Sequence, residues 1–313
     1  MSEYRKSTLI KANRKHQKLT RAALAEDICD ELTLLRYETG EIVPTNEKYY
    51  QLMSKLGQDG NVIIIPYTDT SLSYIKLQED INTALQRENY DLCNCYLDKL
   101  SKHPLFDTSI AENQQFILRV YYCIQFLTYK ITATELISKL KDALSLTFKG
   151  FSATSLPPCR IYSSIELLII HNIAATYKSI GKIKTSLTIY HNIVEAFHNS
   201  TGSSLAKPFY NILVSYSNLL GLNGYYKECR SICSWAIEWL LSQDNQLLPS
   251  IFYYNIGWTL EEEQKQLYFE DSQTPITHPG KPYIWMAYVF TKFYNEPESL
   301  QTTILNYYHS INN

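Results

Sequence analysis

The sequence predicts an all-α chain: a small head of short helices followed by a long array of helix pairs. Three observations predict it. Apolar residues recur at helical spacing almost continuously from Ser71 to the end. Turn signals break that pattern so that segments of similar length pair, one pair every ~35–42 residues, the mark of a helical repeat array. Ahead of the array, residues 19–44 hold short amphipathic segments, each preceded by a capping residue. The 313 residues, 45% hydrophobic and 19% charged, suit a folded globular chain with room for a small domain and an array.

The head reads as four helices. Leu9, Ile10, Asn13 and Arg14 sit on the first, Ser7 to about Lys18. Thr20 is a good N-cap for the second, TRAALAEDI, whose Leu24, Ala25 and Ile28 form its apolar side. Ala25 is small enough for a close helix crossing. Cys29 falls in the turn, and Asp30 can cap a third helix, DELTLLRYE, with Leu34 and Tyr37 facing inward. Gly40 supplies a stop. Pro44 precedes a fourth helix, NEKYYQLMSKLG, with Tyr49, Leu52, Met53 and Leu56 apolar.

This stretch resembles the Xre, or lambda-repressor-like, helix-turn-helix. It is most similar to the variant found in Rgg/PlcR-type regulators of the RRNPP group, LT-x-x-x-LA-x-x-I-C-S-x-x-x-L-S-R-I-E-x-G-x-x-x-P. Leu19, Thr20, Leu24, Ala25, Ile28, Cys29, Leu34, Arg36, Glu38, Gly40 and Pro44 match in register. Two positions depart from the pattern: Asp30 replaces the serine after the cysteine, and Leu35 the serine before the arginine. In such a fold the start of the third helix enters the major groove of DNA. There Asp30 and Glu31 would repel phosphates, although an acidic side chain accepts from cytosine N4. Asp30 is expected to cap the helix while Glu31 either reads a base or tilts outward. The resemblance makes Arg21, Leu32, Thr33 and Arg36 the DNA-facing candidates, with Lys11, Arg14 and Lys18 as backbone contacts. The competing expectation is a degenerate head in which the basic residues form a solvated face. Charge supports DNA binding weakly: residues 1–57 hold ten Lys/Arg against eight Asp/Glu, and the remainder nineteen against twenty-three.

Domain boundaries follow: 1–58 the head, 59–70 a linker, 71–313 the repeat body. The linker lies within QDGNVIIIPYTDT, where Gly60 and Pro66 bracket a β-branched run, and is expected to be extended and packed on the body. The body pairs 71–88 with 90–102, 110–129 with 132–147, 160–180 with 183–200, 205–221 with 225–242, and 248–265 with 281–294, closing with 297–311. Ser164 to Phe197 is the clearest repeat. Its Ala174, Tyr177, Gly181 and Leu187 fall where tetratricopeptide repeats (TPR) place small, aromatic, glycine and apolar residues. Leu219, Tyr225 and Ala236, then Tyr254, Gly257 and Trp258, repeat the theme loosely. The tail, Tyr283 to Tyr308, is expected either to cap the array or to form a dimer contact.

Stacked pairs present their first helices on a concave surface suited to an extended peptide. A peptide backbone needs donors and acceptors, and Asn supplies both. Asn172, Asn211, Asn218 and Asn255 all lie on first helices, and successive first-helix asparagines are what the RRNPP resemblance implies for clamping a short signalling peptide. Tyr177, Tyr210, Tyr254 and Trp258 are candidate walls for its apolar side chains. The competing expectation is ordinary: exposed asparagines, and tyrosines belonging to the core of a chain with 26 of them.

No other chemistry stands out. Cys229 and Cys233, and Cys93 and Cys95, lack further ligands at zinc-site spacing, so no metal is expected. There is no nucleotide-binding glycine loop and no recognisable catalytic grouping, so neither a cofactor nor an enzyme activity is expected. Glu261–Glu263 reads as a solvated helix face. Seven cysteines without framework spacing, no apolar run near ~20 residues and an N-terminus without an apolar signal core point to a cytoplasmic chain with no membrane span. The expected partners are a double-stranded DNA operator, a short linear peptide and a second copy of the chain.

Overall fold

The computed structural model describes residues 10–11, 13–15, 17–39, 41–42, 44–57, 69–152, 162–198, 206–241, 248–270 and 277–311. Among them every extended element is a helix, as the periodicity predicted. The chain divides into two compact units, residues 1–204 and 205–313.

The first unit opens with helical residues 10–11 and 13–15, then α1 (Arg21–Ala25), α2 (Glu31–Thr39) and α3 (Asn46–Lys55). Each of these three helices starts at an oxygen-bearing cap. Thr20 Oγ1 accepts from Ala23 N at 3.1 Å, Asp30 Oδ1 from Thr33 N at 2.8 Å, and Thr45 Oγ1 from Lys48 N at 3.3 Å. Their apolar sides meet in one core of Ile10, Leu24, Ala25, Leu34, Tyr37, Tyr49, Leu52, Met53 and Leu56, with Leu19, Ile28 and Cys29 at its margin. Burying a leucine such as Leu34 or Leu52 contributes about 1.5–3 kcal/mol. Lysines close the end of α1: Lys48 Nζ donates to Ile28 O, and Lys55 Nζ to Glu26 O at 2.8 Å.

The repeats of this unit are α4 (Asp69–Gln86) with α5 (Tyr90–Ser101), α6 (Ala111–Leu127) with α7 (Ala133–Leu144), and α8 (Ser164–Ser179) with α9 (Ile183–His198). Helix α4 begins at Asp69, inside the stretch read as linker; the rest of that stretch, with its β-branched run, lies outside the described residues. Each first helix packs on its own partner and on the next first helix, α4 on α6 and α6 on α8. That is the contact pattern of a repeat array. Capping boxes fix two starts: Thr132 with Glu135 opens α7, and Ser163 with Glu166 opens α8. Gln115 Nε2 on α6 satisfies the end of α7, donating to Ala143 O at 3.1 Å and to Thr147 Oγ1 at 2.7 Å. Gly181, at φ +76°, makes the predicted turn between α8 and α9.

The second unit holds α10 (Ala206–Leu222), α11 (Tyr226–Leu241), α12 (Ser250–Glu270), α13 (Lys281–Phe293) and α14 (Glu298–Ser310). Helix α12 continues through Glu270, beyond the predicted end at 265. It crosses α13 at backbone contact. A Cβ on Gly257 would lie 2.7 Å from Gly280 O, so only glycine permits this approach. The tail closes on the array through Ile284, Ala287, Ile304 and Ile311, with Tyr253, Tyr254, Tyr307 and Tyr308 packed against them. No described helix is long and apolar enough to cross a membrane.

Candidate functional site

In the head, the carboxylate of Glu38 organises the basic residues. Its side chain is fully buried. Arg14 meets it with Nε and with Nη2 at 3.0 Å, and donates Nη1 to Leu19 O at 2.8 Å. Arg21 Nε donates to it at 2.8 Å. Burial pushes the Glu38 carboxyl up, but hydrogen bonds from Arg14 and Arg21 and their positive charges together outweigh it and hold the net value below the ordinary one. Arg14 is therefore corrected from a DNA-backbone contact to a structural residue: it is 8% exposed and its donors are committed. Arg21 shares that clamp but stays a third exposed. Asp30 caps α2 as expected, and its hydrogen bonds from the Thr33 hydroxyl and amide hold its carboxyl below the usual range. Thr33 is thereby tied to Asp30. Glu31 and Leu32 (56% exposed) remain outward at the front of α2, and Arg36, in its last turn, is also outward, with its Nε 3.8 Å from Glu41. Lys18 is exposed and Lys11 half-buried.

In the repeats of the first unit, Asn172 lies on α8 and accepts from Arg119 Nη1 on α6 at 3.2 Å. Arg119 Nη2 donates to Asn82 on α4. Three first helices thus contribute to one polar cluster. Beside it, burial and the positive charge of Arg119 lower His171 to about 4, so it is neutral. Tyr177, at the other end of α8, is flanked by Lys141 and Lys182, whose Nζ atoms lie 5.9 and 6.0 Å from its ring centroid.

The second unit carries the other three asparagines. Asn255 is 4% exposed, and its Nδ2 donates to Asn218 Oδ1 at 2.7 Å and to Ser217 Oγ at 3.1 Å. Asn255 thus braces α12 against α10 and orients Asn218, which is half-buried. Asn211 is half-buried on the same side of α10. The wall candidates are packed into the repeats. The Tyr210 hydroxyl donates to Leu248 O at 3.1 Å, and its ring stacks edge-on with Phe252; burial, with the Glu296 charge, pushes it up to about 12. Tyr254 meets Tyr307, and Trp258 meets Tyr226. The Glu261–Glu263 run is corrected from a solvated face. Glu261 is 2% exposed and accepts from Gly280 N at 2.7 Å, with His278 Nδ1 2.9 Å away. Glu263 accepts from Arg230 at 2.8 Å, and Glu262 from Lys265 at 2.7 Å.

Comparison with known proteins matches residues 78–272 to the RNPP family C-terminal domain. The chain belongs to the RNPP family. No curated protein matches the sequence. Among solved structures, this RNPP chain is similar to PlcR of Bacillus thuringiensis in its apo form, with 17% identity and a TM-score of 0.57 over 95% of this chain and 98% of that one. It is also similar to PlcR of Bacillus thuringiensis in complex with the peptide PapR7 and DNA, with 18% identity and a TM-score of 0.52 over 98% and 99%. These likenesses establish a common fold.

Two residues of the RNPP chain's polar cluster, Asn82 and Arg119, escaped the sequence reading. The signal was present for Arg119. It stands in the apolar stripe of Phe116, Val120 and Cys123, all buried, where an arginine needs a reason.

Proposed function

We propose that this protein is a DNA-binding transcription regulator whose helical-repeat body senses a short linear peptide. The observation that carries this reading is membership of the RNPP family together with a fold like that of PlcR, a protein crystallised with both a peptide and DNA. In this reading residues 1–58 read the operator, 59–70 link, and 71–313 bind peptide and pair two copies in the cytoplasm. The outward side of α2, with Glu31 and Leu32 at its front and Arg36 in its last turn, is the base-reading surface, with Arg21, Thr33, Lys11 and Lys18 as further candidate contacts. Asn172, Asn211 and Asn218 offer hydrogen bonds to a peptide backbone, with Asn255 holding Asn218 in place. Tyr177 in the first unit, and Tyr210, Tyr254 and Trp258 in the second, are the candidate contacts for the peptide's apolar side chains. Peptide binding shifts the population of body conformations, and the body sets the separation of the two heads.

The test is fluorescence polarisation of the full chain with genomic-fragment and random duplexes across a salt series. Binding whose logarithm falls linearly with the logarithm of salt, and sharpens for a selected operator, supports the reading. A second reading is favoured by the exposed acidic Glu31 at the front of α2: a scaffold whose head no longer reads DNA. Absence of duplex binding at low ionic strength selects that alternative.

A further inference from the structure

Four first helices of the repeats end alike. Asn89 N donates to Ala84 O at the end of α4, Lys130 N to Gln125 O at the end of α6, Lys182 N to Tyr177 O at the end of α8, and Tyr225 N to Leu220 O at the end of α10, all at 2.8–3.0 Å. Each closure puts the residue before the donor in the left-handed region, where glycine is at home. Gly181 and Gly224 hold that position on α8 and α10, at φ +76° and +79°. On α4 it is the polar Glu88, at φ +56°, and on α6 the aromatic Tyr129, at φ +58°. A bulky aromatic residue is strained there, because its Cβ crowds the backbone. Packing does not offset the strain, since Tyr129 is 96% exposed. Strain of this kind concentrates where a side chain is needed for function.

The surroundings of Tyr129 are positive. Helices α6 and α8 pack side by side and start level: Thr147 Oγ1 accepts from Gln115 near the start of α6 and donates to Glu166 near the start of α8 at 2.5 Å. With 17 and 16 residues the two helices also end level, so their closing turns form one edge. Residues 128–134 and 176–187, which make those turns, hold Lys130, Lys178, Lys182 and Lys184 and no Asp or Glu. All four lysines are exposed, and among the described residues none is in an ion pair. Leu127 and Ile180 are exposed at the same helix ends. The charge is local: residues 113–204 carry nine Lys/Arg against four Asp/Glu, whereas residues 205–313 carry six against ten. At the preceding turn Glu88 and Asp91 offset Arg87, so the positive stretch is two turns wide.

An edge with lysines, an exposed aromatic ring and aliphatic neighbours has a definite complement. Carboxylates match the lysines, and an apolar side chain matches the ring and the aliphatic groups beside it. A DNA backbone presents phosphates and no aliphatic groups, so it leaves Leu127 and Ile180 unused. We propose that the turn edge of Tyr129, Lys130, Lys178, Ile180 and Lys182 docks an acidic segment of a partner protein, with apolar residues set between its carboxylates. This goes beyond the regulator reading and does not depend on it: Asn172, assigned to the peptide, lies within α8 and not at this edge.

The experiment is fluorescence polarisation of the full chain with four labelled probes of equal length: a peptide alternating Glu and Leu, one alternating Glu and Ser, one alternating Lys and Leu, and oligothymidylate. The Glu/Leu peptide is expected to bind about tenfold tighter than the Glu/Ser peptide, the worth of one anchored apolar contact, and the Lys/Leu peptide not at all. Tyr129→Gly is expected to weaken Glu/Leu binding about tenfold while melting no lower than the wild type, because glycine occupies the same turn on α8 and α10 without strain. Lys130→Ser with Lys182→Ser is expected to weaken binding and flatten its salt dependence. No binding of the Glu/Leu peptide, or equal binding by Tyr129→Gly, overturns the docking edge and leaves the regulator reading standing. Oligothymidylate bound as tightly as the Glu/Leu peptide overturns the protein partner and assigns the edge to single-stranded nucleic acid. A Tyr129→Gly protein that melts lower overturns the strain argument and makes Tyr129 structural.

Discussion

Replacing Glu38 with glutamine keeps the shape of the side chain and removes its charge, so it isolates what the carboxylate does. Glu38 is fully buried and receives hydrogen bonds from Arg14 and from Arg21. Arg14 is itself nearly buried, and without Glu38 its charge has no counter-ion. Breaking one partner of a buried pair costs about 3–5 kcal/mol. Arg21 is a third exposed, so its share is screened and the lower end, about 3 kcal/mol, is the expected loss. A domain of this size has little stability to spare. Measured by hydrogen exchange on the full chain, amides of residues 10–57 should exchange about a hundredfold faster in Glu38→Gln, since each ~1.4 kcal/mol is a factor of ten. The pH dependence has a definite sign. The folded carboxyl titrates below its ordinary value, so its contribution is present above the ordinary carboxylate range and is lost as pH falls through the folded value. The double variant Arg14→Met with Glu38→Leu should recover much of the protection. Unchanged exchange in Glu38→Gln alongside weakened DNA binding would refute the reasoning, because Glu38 would then act at the DNA surface.

Asp30→Ala removes the cap of α2 and should cost about 1 kcal/mol, read as faster exchange at the front of that helix. Arg36→Ala should weaken duplex binding across sequences or at one base position, with head exchange unaltered and a smaller salt slope if the contact is a phosphate. Gly257→Ala sets a methyl 2.6 Å from Ile284 Cγ1, 2.7 Å from Gly280 O and 3.0 Å from Ile284 N. Two of those atoms are backbone, so a loss of about 1–3 kcal/mol is expected in thermal melting, despite the better helix propensity of alanine. His171 titrates near 4 in the folded chain against an ordinary 6.5. Between those values the unfolded chain binds the proton and the folded chain does not, so stability should fall by up to about 3 kcal/mol as pH drops through that window. His171→Gln should flatten the slope, and a slope identical to the wild type would count against the burial of this ring.

The head was legible because its signals are local. Thr20 and Asp30 cap helices through atoms three residues away, and Leu24, Leu34, Tyr37 and Leu52 share faces set by the 3.6-residue period. Arg14 was misread because charge type is local while partnership is not: Glu38 lies twenty-four residues on, and only the folded head brings the two together. The same reason explains Glu261, which looked solvated within its acidic run until α13 placed the Gly280 amide over it. The partner of Tyr210, the Leu248 carbonyl, was out of reach of the sequence for the same reason, since it belongs to a different helix connection.

By itself the sequence determined that this is an all-helical chain with a capped four-helix head and paired repeats, since propensity, capping and periodicity are short-range properties of the chain. It also placed Asn172, Asn211, Asn218 and Asn255 on first helices, because spacing alone sets the helix face. Tertiary structure alone decided which polar groups spend their hydrogen bonds internally. Asn255 Nδ2 is spent on Asn218 and Ser217, and Arg119 is held between the side-chain oxygens of Asn82 and Asn172. A hydrogen bond depends on three-dimensional proximity to within a few tenths of an ångström, and helices that are far apart in the chain meet only when the repeats stack.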